Sequence, residues 1–158
     1  MAVDPYVNVP SYDKQLGKIL ELAAGANIEV QGSALPMQVV ISNAAGGTQY
    51  YSLITLQVQD NSGNNLAGVF ELSFWLSDSS VGAGLTATTA SGGVTVTTGT
   101  QIQAKVAAKA FDIITNSSGQ AVVQIIDSAK TGFYPITEAP GTGLLIVGAQ
   151  LTTASYHA

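Results

Sequence analysis

Residues 69–76 read Val-Phe-Glu-Leu-Ser-Phe-Trp-Leu. Phe70, Leu72, Phe74 and Leu76 recur at every second position, the period at which an extended chain returns side chains to one face of a sheet. The stretch therefore predicts a β-strand with one buried face. On its N-terminal side lies Asp60-Asn61-Ser62-Gly63-Asn64-Asn65, a dense run of turn formers. Before that, Tyr50–Gln59 alternates again, with Leu53, Ile54, Leu56 and Val58 among Thr55, Gln57 and Gln59. On the C-terminal side the pattern breaks at 78–84. It resumes as a Thr-rich stretch over 85–100, then at 102–108, 110–115, 122–126, 132–137 and 144–153. Ile28, Val30 and the run 37–41 add strand signals upstream. The apolar run 144–149 reads as a buried strand. Eight to ten short strands with regularly spaced turn signals predict an antiparallel β-sandwich. With no helix between them, a parallel sheet of βαβ units is excluded. Two segments share a layout: 57–63 and 113–119 both run from strand into a polar turn that ends in Gly.

The first 27 residues read differently, so the chain divides into 1–27 and an all-β domain over 28–158. Residues 2–10 hold two prolines and alternating valines, and Pro biases its predecessor toward extended backbone. This predicts an extended arm, either a free tail or a docking strap. As a strap its contacts would come from Val3, Pro5, Tyr6, Val7 and Val9, with Tyr12 where a helix begins. Ser11 is a good N-cap and Asp13 suits a first turn. Leu16, Ile19, Leu20 and Ala23 form one apolar stripe, and Gly25 suits a stop. The spacing predicts a short amphipathic helix.

Composition narrows the function. Only 9% of the 158 residues are charged, against about 25% in ordinary soluble domains. Arginine and cysteine are absent, and the net charge is -5. Proteins that neutralise nucleic-acid phosphates cluster Lys and Arg. The five lysines here (Lys14, Lys18, Lys105, Lys109, Lys130) form no cluster, which argues against DNA, RNA and anionic membranes as partners. No disulfide or thiolate metal site is available. No run reaches the roughly 18 apolar residues of a membrane-spanning helix, and residues 1–14 lack the basic and apolar regions of a signal peptide. Such a surface is either a plain Thr-rich β surface or one made to pack against neighbours in an assembly.

The residues suited to catalysis are few. His157, the single histidine, lies next to last, where side chains are more often mobile than fixed for proton transfer. The ten carboxylates are scattered and read as turn or strand-end residues. Asp60–Asn64 has its Gly at the fourth position and lacks the Glu of a calcium loop, so it reads as a β-turn. Gly141-Thr142-Gly143 precedes a strand, unlike a phosphate cradle. Asn116-Ser117-Ser118 is formally a glycosylation sequon. No catalytic, cofactor or metal residue is expected. Trp75, the single tryptophan, falls on the face opposite Phe74 and Leu76. It is either an interface anchor or covered by the arm. Trp75, Tyr134 and Tyr156 would line the groove of a glycan-binding module.

Two groups of stretches carry a family resemblance. Asp60-Asn61-Ser62-Gly63-Asn64-Asn65-Leu66-Ala67-Gly68-Val69 resembles the D-x-x-G-x-P-L-x-G-V hairpin of bacterial immunoglobulin-like domains, with Asn65 in place of the usual Pro. Residues 115–123 (TNSSGQAVV) and 132–137 (GFYPIT) are similar to the hairpin and strand that follow in those domains. Residues 74–78 (FWLSD), 82–93 (GAGLTATTASGG), 126–134 (IDSAKTGFY) and 149–156 (AQLTTASY) resemble a β module of tailed-bacteriophage virion proteins. Residues 1 to about 50 carry no part of either likeness. The resemblance implies an immunoglobulin-like sandwich and a non-enzymatic capsid decoration (cement) protein. It would be assembled in the host cytoplasm and placed on the outer surface of the head. Its partners would be the major capsid protein and copies of itself, a trimer among the oligomers it admits. The alternative it leaves open is a tail, fibre or cell-surface module for adhesion or glycan contact.

Overall fold

The computed structural model describes residues 37–158. The expected arm and helix over 1–27, and the strand signals at Ile28 and Val30, lie outside the described residues.

Nine strands follow in order: β1 (Gln38–Ala45), β2 (Tyr51–Gln59), β3 (Glu71–Ser77), β4 (Gly93–Thr98), β5 (Thr100–Val106), β6 (Ala110–Ile114), β7 (Gln120–Ile126), β8 (Tyr134–Glu138) and β9 (Leu145–Val147). A 3-10 turn at Thr153–Ser155 comes last. The strands form two antiparallel sheets, one ordered β1-β2-β7-β4 and the other β5-β6-β3-β8-β9. Their facing sides make one core, so the all-β sandwich expected from the alternation is present. From the first sheet come Ile54, Leu56 and Val58 of β2 and Ala121, Val123 and Ile125 of β7. Leu72, Phe74 and Leu76 of β3 and Phe111 and Ile113 of β6 meet them from the second. All are buried, because alternate positions along each strand point the same way.

The two segments with a shared layout build the same turn. Asp60 Oδ1 accepts the N–H of Ser62 and Asn64 at 2.8 and 2.9 Å. Asn116 Oδ1 accepts those of Ser118 and Gln120 at 2.9 and 3.1 Å. In each, the glycine N–H returns to the carbonyl three residues back at 3.0 Å, Gly63 to Asp60 and Gly119 to Asn116. Both glycines lie at positive φ, 82° and 70°. Asp and Asn supply the side-chain acceptor and Gly the left-handed backbone.

Three expectations need correction. The run 144–149 is not a buried strand. Only Leu145–Val147 pair, at the sheet's edge, and Leu144 remains 58% exposed. Hydrophobicity marked the strand, but an edge position leaves much of it uncovered. The Thr-rich stretch 85–100 becomes strand mainly at Gly93–Thr98, since Asp78 and Lys109 bind its first part as a loop. The tail is not loose: His157 N–H donates to the Tyr51 carbonyl and its own carbonyl accepts from Tyr50, both at 3.0 Å.

Candidate interaction surface

Alternation along β3 puts Glu71, Ser73 and Trp75 on the outer face of the five-stranded sheet, opposite the core. Trp75 sits beside Ala110 of β6 and Ile136 of β8 in the ladder. It is half-buried and on the second face, as its position in the alternation predicts. A shallow groove of about 390 Å³ runs along it, lined also by Ser73, Leu85, Lys105, Val106 and Glu138. A second hollow of about 310 Å³, lined by Glu71, Pro140, Gly141 and Gly143, shares Ser73 and Glu138 with the first. One end of this surface is thus aromatic and apolar, and the other carries carboxylates.

A polar row crosses three strands at the groove's middle. Lys105 Nζ of β5 lies 2.7 Å from Asp112 Oδ1 of β6. Ser73 Oγ of β3 donates to the same oxygen at 3.0 Å and accepts from Lys105 at 3.2 Å. Lys105 remains half exposed, so the pair contributes at most about 1 kcal/mol. Its larger effect is to hold donors and acceptors in fixed directions beside Trp75.

The loop between β3 and β4 folds back over the same face. Asp78 accepts the Thr86 hydroxyl at 2.6 Å and the Ala87 N–H at 2.8 Å. Lys109 Nζ donates to the Thr86 and Ala87 carbonyls at 2.9 and 2.8 Å. The Thr86 hydroxyl, then the Ala87 N–H and the Lys109 charge, hold the Asp78 carboxyl below the usual carboxylate range. Gly82 (φ 72°) lies so close to β8 and β9 that a Cβ there would stand 2.9 Å from Leu145 Cδ2 and 3.4 Å from Ile136 Cδ1. Ile136 is therefore fully buried although it points away from the main core. Two large apolar side chains of this loop stay open to solvent, Val81 (71%) and Leu85. So do Leu144 and Leu145 at the strand beneath it.

The other singled-out residues separate. Tyr134 is half-buried. Tyr156, expected with the exposed aromatics, is instead part of the core, and its hydroxyl donates to the Thr131 carbonyl at 2.7 Å. Burial first, then the nearby Asp127 charge, push its phenol well above the usual range. The tail returns across the sandwich and carries Tyr156 inward, which a position near the chain end did not predict. Val3, Pro5, Tyr6, Val7, Val9 and Tyr12 lie outside the described residues. Asp60, Asp78 and Asp127 are engaged in binding loop N–H groups. Among the described residues no group of three His, Asp or Glu is placed to hold a metal ion, and no helix is long and apolar enough to cross a membrane. Sequence reasoning missed Ser73, Lys105, Asp112 and Glu138. For Ser73 a signal existed, since it shares Trp75's side of the alternation. Lys105 and Asp112 needed the β5–β6 pairing. Comparison with protein-family models, curated proteins and solved structures finds no match.

Proposed function

We propose that the domain is an immunoglobulin-like sandwich acting as a non-enzymatic structural protein of a tailed-phage virion, a decoration protein on the outer head surface. Strand pairing supports the fold reading. The order β1-β2-β7-β4 and the pairing β3-β8-β9 follow the A-B-E-D and C-F-G sheets of immunoglobulin domains. The β5–β6 hairpin is then an addition beside the C strand. The observation that carries the function is a set of large apolar side chains left open to solvent: Leu85 in the Trp75 groove, and Val81, Leu144 and Leu145 where the β3–β4 loop meets β9. Soluble monomers rarely leave broad apolar patches uncovered, and a chain with 9% charged residues has little charge to repel a neighbour. Binding would stabilise a shell by mass action, because only the assembled lattice presents the complementary surface.

The test is to purify particles from the source, strip them mildly and locate this chain. Abundance on heads, with stripped heads bursting at lower temperature, supports the reading. Confinement to tails, or absence from particles, refutes it. A second reading is favoured by the polar row of Ser73, Asp112 and Lys105 beside Trp75: a glycan-binding adhesion module. Glycan-array binding lost in Trp75→Ala would select it.

A further inference from the structure

The outer face of the five-stranded sheet carries two adjacent rows. The apolar row is Ala110 and Trp75, side by side on β6 and β3, with Leu85 and Val106 at the same groove and 44% and 39% exposed. In the polar row Ser73 pairs with Asp112 on one side. On its other side lies Glu138, one pair beyond Phe74 and Thr137 in the same register. Glu71 stands two residues before Ser73 and so shares its face. The hollow of about 310 Å³ at Glu71 and Glu138 continues from the groove of about 390 Å³ at Trp75. Both lie on the sheet opposite the one that holds β1, where the described chain begins.

Carboxylates outnumber free cations on this face. Lys105 is bound to Asp112, and Lys109 to the Thr86 and Ala87 carbonyls. Lys130 lines neither hollow. The Glu71 and Glu138 side chains have no hydrogen bond or ion pair among the described residues. An aromatic ring beside carboxylates without a counter-ion suits a cation, drawn by the ring's quadrupole and by charge. The hollows are shallow, so a free small cation would keep most of its water. A side chain anchored in a protein also brings Leu85 and Val106 into the contact, where they exclude water around the central pair.

We infer that the joined hollows seat an arginine or lysine of a different protein, presented among apolar side chains. Its stem lies against Trp75, its charge at Glu71 and Glu138, and its apolar neighbours against Leu85 and Val106. The chain has no arginine of its own and two of its lysines are engaged as above, so a second copy is the poorer source. The inference rests on reading this face as the docking surface and names the chemistry of the partner.

The experiment uses the indole N–H of Trp75, a single nuclear magnetic resonance signal because the chain has one tryptophan. The full chain is titrated with acetyl-Leu-Arg-Leu-amide, with the same peptide carrying neutral citrulline for arginine, and with maltohexaose. The expected result is a saturable shift with the arginine peptide and at least about fivefold weaker binding of the citrulline peptide. Glu71→Gln and Glu138→Gln should each weaken the arginine peptide by about two- to fivefold. Asp60→Asn removes the same charge outside both hollows and should bind as the wild type does. Its turn should hold, since Asn116 fills the same place in the matching turn. No shift with the arginine peptide into the millimolar range overturns the proposal, including the case where another part of the same chain fills the groove. Equal binding of the two peptides overturns it, and so does a shift with maltohexaose alone, which selects the glycan reading. Particles separate the inference from the virion reading. Stripped heads that take up the wild type and the Glu71→Gln/Glu138→Gln double variant equally refute the cationic partner and leave the virion reading standing. Binding of the arginine peptide by a chain absent from particles refutes the virion reading and supports the cationic partner.

Discussion

Gly119 and Gly63 occupy the same place in two matching turns, yet their surroundings differ. A Cβ on Gly119 would overlap the Leu66 carbonyl oxygen, because Gly68 and Ser117–Ser118 draw the two turns together. Around Gly63 there is open space. Gly63→Ala should cost only the left-handed penalty of about 1 kcal/mol. Gly119→Ala adds the overlap and should cost about 3 kcal/mol, read as the difference in urea midpoints. Ser52 poses the opposite case. It is fully buried in β2, and its hydroxyl has no hydrogen-bond partner among the described residues. A hydroxyl in that state costs about 1–3 kcal/mol of desolvation. Ser52→Ala should therefore leave stability unchanged or raise it by about 1 kcal/mol. A clear loss in urea unfolding would mean that a buried water satisfies the oxygen.

At the scale of the element, β3 is the informative strand. Phe74 and Trp75 are adjacent and both large, but one faces the core and the other the groove. Phe74→Ala should cost about 3–5 kcal/mol by leaving a cavity. Trp75→Ala, at a half-open site, should cost well under half of that and leave the native near-ultraviolet signals of the tyrosines in place. Equal losses would mean that the groove is closed in solution. The alternation that separates these two residues is local, so it was readable from residues 69–76. The strands at 50–59, 110–115 and 122–126 were readable for the same reason. What the loop Asp78–Thr86 covers was not, because Gly82 meets Leu145 and Ile136 more than fifty residues away.

For the whole molecule, the resting pattern of charge sets the response to pH. Burial pushes the Asp127 carboxyl up, but the N–H groups of Thr131 (2.7 Å) and Ser91 (3.1 Å) outweigh it, and the net shift is downward. Asp60 is lowered by Asn64, and Asp78 by Thr86. Carboxyls lowered on folding contribute stability that is present above the unfolded value near about 3.9. They lose it as pH falls through their lower folded values. The urea midpoint should therefore hold from neutral pH to about pH 4 and drop below it. Asp127→Asn should lower stability at neutral pH by about 2 kcal/mol and flatten the acid limb. An unchanged acid limb would show that the loop bonds do not depend on the charge.

Taken by itself, the sequence determined that β2, β3, β6 and β7 become strands, which face of each is apolar and how the two Asx-type turns close. Each of these depends on residues within a few positions of one another. The tertiary structure alone decided the order of the sheets, the exposure of Leu144 and Leu145, the burial of Tyr156 and the assembly of Ser73, Lys105 and Asp112 beside Trp75. Those outcomes depend on which distant segments meet, and a local period carries no record of its partner across the sandwich.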